Sequence, residues 1–299
     1  LLTTLKWIWV FALVLFVADL IADRHAELAE AWANIQVRFV LLSFGFTVVA
    51  KLLLAETARA AAVRCGLEIG WSNAARLYNL SQLAKYLPGS IWHYASRAVA
   101  YRRLGASYST IRDALVVESL WVLGAAVVTA IALGASAFIQ VSLEVVRPFK
   151  HIVLTLMLVG FGVLFVLLVR FRASSWRVIL LARPSFPILL IQAAVWLSLG
   201  CALKMQVLAL GLEASLSHVT ALFAGAYAVG VSVPIAPAGL GVRDAILATG
   251  LLVSGPAAEV FLVVMLSRVI YMITEITLVV GQELWMLGWW HTRSSSTRP

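Results

Sequence analysis

"SVPIAPAGLGVRDA" occupies residues 232–245, and how it is read decides the fold around it. Pro234 and Pro237 lack a backbone N–H and clash with the preceding turn, so a helix cannot run through them. The flanks are apolar enough for lipid, yet an Arg-Asp pair closes the stretch. Both facts are met if one helix stops inside the membrane and a second starts just after Pro237. The new helix then exposes unpaired N–H groups and the positive end of its dipole, and Gly239 and Gly241 let another group approach the backbone. Such an end attracts anions. Arg243 adds a guanidinium suited to forked contact with phosphate, and Asp244 is placed to hold it or to accept a proton.

The rest of the 299-residue chain supports a membrane setting. Hydrophobic residues make up 62% and charged residues 12%, with a mean hydropathy of +0.97, values that exclude an ordinary soluble domain. Apolar runs able to cross about 30 Å of hydrocarbon lie near 7–22, 37–55, 114–139, 152–169, 186–212, 219–235 and 257–288. They are continuous rather than alternating, so the expected fold is all-α: a polytopic bundle of about seven spans (six to eight) with broken or re-entrant helices. Residues 1–299 read as a single integral membrane domain, with 289–299 as a cytoplasmic tail. The run at 7–22 reads as an uncleaved first span, because no small-residue cleavage site follows it.

Nine of the 23 Lys and Arg residues lie between Lys51 and Arg112, and four more (Arg170, Arg172, Arg177, Arg183) follow the fourth run. By the positive-inside rule both stretches face the cytoplasm of a bacterial inner membrane, and the two termini are expected there too. The net charge of +9 reads as anchoring beside anionic lipid and not as nucleic-acid binding, since no separate basic domain carries it. Cys65 and Cys201 form no thiol motif, and the five histidines are too scattered for a metal site.

A second interruption lies in "NLSQLAKYLPGSIWHYASRAVAYRRLGAS", residues 79–107. Leu77, Leu80, Leu83, Ala84 and Leu87 recur at helical spacing until Pro88-Gly89, and a new helix is expected from Ser90 to Leu104. Lys85 and Tyr86 precede this break, and Trp92 and Arg97 follow it. Each break alone is also readable as a connecting turn. Two of them in corresponding halves point to a repeat architecture, with halves of about 35–140 and 186–288. A shift of 150 residues lays the long span from Gly105 on that from Gly255, with Glu118 and Arg268 at the same depth.

Charges inside spans are costly and usually face the protein interior. Glu118, Arg268 and Glu275 qualify, and Arg268, Tyr271 and Glu275 fall on one helical face. The expected pairing is Glu118 with Arg268 across the two halves. Arg102 and Arg103 read as surface cations, and Trp7, Trp9, Trp285, Trp289 and Trp290 as an aromatic belt.

"KYLPGSIWHYASR" (85–97), "PIAPAGLGVRDAIL" (234–247) and "LSRVIYMITEITLVVG" (266–281) together resemble the membrane region of lysylphosphatidylglycerol synthases, a flippase-like family. The resemblance covers nearly the whole chain. It implies a polytopic inner-membrane protein that moves an anionic or lipid-linked headgroup between leaflets. Carried over by position, it implies substrate contacts at Lys85, Pro88, Gly89, Trp92 and Arg97, then at Pro237, Gly239, Gly241, Arg243 and Asp244, with Arg268 in the last span. Two positions depart from the family pattern: Asp244 stands where Glu is common, and Ser119 where an Arg often follows the acid.

The function expected is that of a lipid flippase or transporter whose partner is a membrane phospholipid or lipid-linked substrate. The alternative is a membrane subunit or enzyme in lipid modification or lipid-linked glycan biosynthesis, or a scaffold for an enzyme partner. The sequence offers no catalytic residues, cofactor motif or metal spacing to favour an enzyme: G-x-x-x-x-G-K-[ST], Gly-x-Ser-x-Gly and Cys-His arrangements are all missing.

Overall fold

A computed structural model describes the backbone of residues 25–86, 92–146, 172–232 and 241–296, and within these the side chains of 26–86, 92–134, 177–232 and 241–286. The described residues are helical, in the order α1 (His25–Ala33), α2 (Val37–Arg64), α3 (Trp71–Leu83), α4 (Trp92–Arg103), α5 (Tyr108–Val146), α6 (Arg172–Leu181), α7 (Phe186–Ala209), α8 (Leu216–Ser232), α9 (Val242–Leu251) and α10 (Ala257–Ser296). Among the described residues four stretches are long and apolar enough to cross a membrane: Val37–Arg64, Tyr108–Gly134, Phe186–Ala209 and Ala257–Met286. This is the fold of a helical membrane protein. Of the seven expected spans these account for four. The run at 219–235 forms the shorter apolar helix α8, and the runs at 7–22 and 152–169 lie outside the described residues. The second span continues past the apolar run to Arg64, and α10 continues to Ser296, taking in most of the expected tail.

The centre of the bundle is the antiparallel pair α2 and α7. The Gln36 N–H donates to Ala209 O at 2.8 Å, Gln206 Nε2 to Ser43 Oγ at 2.9 Å, and Gln192 Nε2 to Thr57 Oγ1 at 2.8 Å. Numbers rise along one helix as they fall along the other. All four side chains are buried, and these bonds give the two amide N–H groups acceptors in an apolar core, while Gln192 Oε1 and Gln206 Oε1 have no partner among the described residues. Both helices end in the same way, with Gly66 and Gly211 at positive φ. The following N–H in each case reaches back, Leu67 to Ala62 O and Leu212 to Val207 O, both at 3.0 Å, which closes the last turn in a Schellman motif.

Helices α3 and α4 form a hairpin that enters and leaves at one end of the bundle. Ala74 at the start of α3 and Tyr101 near the end of α4 pack in one cluster with Ala61 and Ala62 of α2 and Ile111 and Ala114 of α5. That end carries Arg59, Arg64, Arg76, Arg102, Arg103, Arg112 and Arg177, and Arg102 and Arg103 are exposed as expected.

Helices α8 and α9 form a second hairpin from the opposite end. His218 Nε2 meets Gly250 O at 3.0 Å, which brings the start of α8 beside the end of α9. At 13, 12 and 10 residues, α3, α4 and α9 are each too short to cross about 30 Å of hydrocarbon at 1.5 Å per residue. The described residues of the first hairpin end at Tyr86 and resume at Trp92, and those of the second end at Ser232 and resume at Gly241; the expected breaks at Pro88-Gly89 and Pro237 lie outside the described residues. Helix α4 starts at Trp92 and α9 at Val242, 150 residues apart, the same offset that relates Glu118 to Arg268.

Candidate functional site

Lys85 from the first hairpin and Arg243 from the second converge on the middle of α2 and α10. Lys51 sits thirteen or more residues from either end of α2, about 20 Å of helix in each direction. Its ammonium is only 3% exposed and pairs with Oε1 of Glu275 on α10, which is fully buried. Lys85, from the 3-10 turn Ala84–Tyr86 that closes α3, pairs with the same oxygen. The other carboxylate oxygen, Oε2, has no hydrogen-bond partner among the described residues.

One turn before Glu275, Tyr271 supplies the aromatic wall. Lys51 Nζ lies 4.4 Å from its ring centroid, Lys85 Nζ 5.7 Å, and the Arg243 guanidinium carbon 5.1 Å. Arg243 also lies over the Phe223 ring at 4.4 Å. Three cations from α2, the first hairpin and the second hairpin thus surround one tyrosine. Lys51 and Lys85 share a carboxylate. Among the described residues Arg243 has none: it is 7% exposed, and its Nε and Nη2 are buried there without a hydrogen-bond partner. Cation–π contact offsets part of the desolvation of a guanidinium but leaves its N–H groups unmet.

Asp244 does not hold Arg243, as the sequence reading expected. It turns away to accept from Arg268 Nε at 2.8 Å and Nη2 at 3.0 Å, and its Oδ2 also accepts the Gly241 N–H at 3.1 Å. The carboxylate therefore caps the start of α9, where Gly241 adopts a φ of 84°. The expected Glu118–Arg268 pair is corrected in the same way. Glu118 on α5 pairs with Arg97 on α4, in a contact where the side chains are 9% and 1% exposed. Each short helix is pinned to the long helix that follows it, Arg97 to Glu118 and Asp244 to Arg268, with the signs exchanged. The chain-adjacent helix packs beside the hairpin and supplies the nearest counter-charge, so neither residue has to cross the bundle.

The structure thus brings Lys85, Arg243, Tyr271 and Glu275 together, with Arg268 and Asp244 adjoining Arg243. Arg97 and Glu118 form a separate buried pair bordered by Tyr78 and Tyr94, whose ring centroids lie 5.2 and 5.6 Å from the Arg97 guanidinium carbon. Tyr86 and Trp92 flank the first break and are 48% and 46% exposed. Pro88, Gly89, Pro237 and Gly239 lie outside the described residues. Lys51 was missed. It stands inside the apolar run 37–55, where the rule applied to Glu118 would have found it, but it was grouped with the basic stretch that follows.

Compared with protein-family models and with curated proteins, the chain matches none.

Proposed function

We propose that this protein is a lipid transporter of the flippase type, moving an anionic phospholipid or lipid-linked headgroup across the bacterial inner membrane. The observation that carries the reading is Arg243, a guanidinium buried where the two hairpins meet, with no carboxylate on it among the described residues. Placing an Arg in mid-bilayer costs roughly 2.5 to 3.5 kcal/mol on insertion scales, so such residues mark pathways or partners. An anionic headgroup would supply the missing partner, while acyl chains stay in lipid.

The arrangement of the halves supports a cycle. Antiparallel packing of α2 on α7 makes residues of about 35–140 and 186–288 candidates for inverted repeats, with one hairpin entering from each side. Rocking one half against the other would open the cation cluster first to one leaflet and then to the other. Placing the arginine-rich end in the cytoplasm follows the positive-inside rule and puts the first hairpin on that side.

The test is leaflet exchange. Pure protein in liposomes is expected to speed the movement of a fluorescent anionic phospholipid between leaflets, measured by dithionite bleaching, and Arg243→Ala to abolish the gain. An unchanged exchange rate with wild-type protein, or full activity in Arg243→Ala, overturns the proposal.

A further inference from the structure

We infer that the site is matched to a terminal phosphate carrying two negative charges, a phosphomonoester or diphosphate end group, rather than to the singly charged phosphodiester of common phospholipids. This rests on the anion-site reading above and narrows its substrate class.

The first argument is charge. Among the described residues Lys51, Lys85 and Arg243 gather around Tyr271 with Glu275 as their one carboxylate, so three cations against one anion leave two positive charges there. The neighbouring charges cancel in pairs, Arg97 with Glu118 and Arg268 with Asp244. The stretches "LPGSI" at 87–91 and "VPIAPAGL" at 233–240, which lie between the described helices of each hairpin in the sequence, contain no charged residue. A buried excess of charge is unfavourable, and a dianion cancels it where a monoanion leaves half behind.

The second argument is donors. Three cationic arms arrive from three separate elements, and the Nε and Nη2 groups of Arg243 have no acceptor among the described residues. A terminal phosphate presents three free oxygens, one for each arm and able to take the Arg fork. A phosphodiester presents two, and its second ester arm has to fit where the third cation stands.

The experiment uses the full chain in nanodiscs, with lipid retention read by native mass spectrometry. Phosphatidic acid and phosphatidylglycerol of matched acyl chains are compared at pH 8, where the monoester is a dianion, with phosphatidylcholine as the zwitterionic control. Phosphatidic acid is expected to be retained about tenfold or more over phosphatidylglycerol, the ratio that about 1.4 kcal/mol of extra binding produces. Arg243→Gln, which lowers the excess charge by one, is expected to collapse that ratio toward one.

Equal retention of both anionic lipids, lost for both in Arg243→Gln, overturns the dianion inference and leaves the anion site standing. Retention no greater than that of phosphatidylcholine overturns both. Inorganic phosphate or pyrophosphate displacing phosphatidic acid at equal concentration would keep the dianion and overturn its lipid source.

Discussion

Asp244 grips Arg268 through two parallel N–H···O contacts of 2.8 and 3.0 Å while it caps the first turn of α9 at Gly241. One carboxylate therefore fixes both the start of the second short helix and its attachment to α10. The arm that carries Arg243 depends on it, because Arg243 is its immediate neighbour.

Asp244→Ala is expected to loosen α9 without unfolding the bundle. Loss of the cap and of the paired guanidinium costs about 1 to 3 kcal/mol, and the side chains involved are 17% and 24% exposed, so water can partly compensate Arg268. Hydrogen exchange should rise across Val242–Leu251 and stay unchanged across Trp92–Arg103. Equal loosening of both hairpins would show that the two pins are not independent.

The matching pair in the first hairpin is buried far more deeply, with Arg97 1% and Glu118 9% exposed. Breaking it leaves a charge that neither water nor lipid can reach. Glu118→Gln is expected to destabilise the detergent-solubilised protein by about 3 to 5 kcal/mol, and Arg97→Met with Glu118→Met to recover most of the loss, since an apolar pair of similar volume removes the stranded charge. Thermal melts of the two variants beside the wild type decide it. A double variant no better than Glu118→Gln would mean that the pair contributes more than its own neutrality.

How much of this was legible in the sequence depends on the kind of signal. The helices on either side of the two Pro-Gly stretches were, because helical spacing is a local signal. The predicted restart near Ser90 lies within two residues of Trp92. The polar stripe of Arg268, Tyr271 and Glu275 was legible as well, since it needs only the helical period. Pairing was not. Glu275 finds Lys51 and Lys85 across 224 and 190 residues, and nothing local to any of the three names the others. Arg97 looks like Arg102 and Arg103 in sequence and differs only in facing Tyr78, Tyr94 and Glu118 once α4 is packed. Equal depth in the two halves made Glu118 and Arg268 look like partners. In the structure each instead pairs with the short helix that precedes it, Glu118 with Arg97 and Arg268 with Asp244.

Cys65 follows α2 at the arginine-rich end and is 4% exposed. Burial, and next the charge of Asp113, push its thiol up to about 11. Because the thiolate is the reactive form, it is expected to resist maleimide at pH 7 to 8 in the folded protein and to gain about tenfold in rate per pH unit up to about 11. Labelling in detergent followed by mass spectrometry measures this. Fast labelling at neutral pH would place Cys65 in water rather than in the cluster with Leu67 and Tyr101.

Helix α8 runs so close to α7 that Gly200 leaves no room for a side chain. A methyl there would overlap the Thr220 hydroxyl and come within 2.6 Å of its Cβ and 2.8 Å of its Cγ2. Thr220 is buried, and its Oγ1 donates to Leu216 O at 2.7 Å, so it cannot swing aside without giving up that bond. Gly200→Ala is therefore expected to cost about 1 to 3 kcal/mol as overpacking. Adding Thr220→Ala removes the hydroxyl and one methyl but keeps the Cβ, and should recover part of the loss. Gly45 and Gly124, where a Cβ meets nothing within 4 Å, serve as controls. Alanine at either should hold or slightly raise the melting temperature, since Ala favours helix over Gly. A Gly200→Ala protein as stable as these controls would mean that α7 and α8 can separate freely, and the tight seam that carries the second hairpin would not exist.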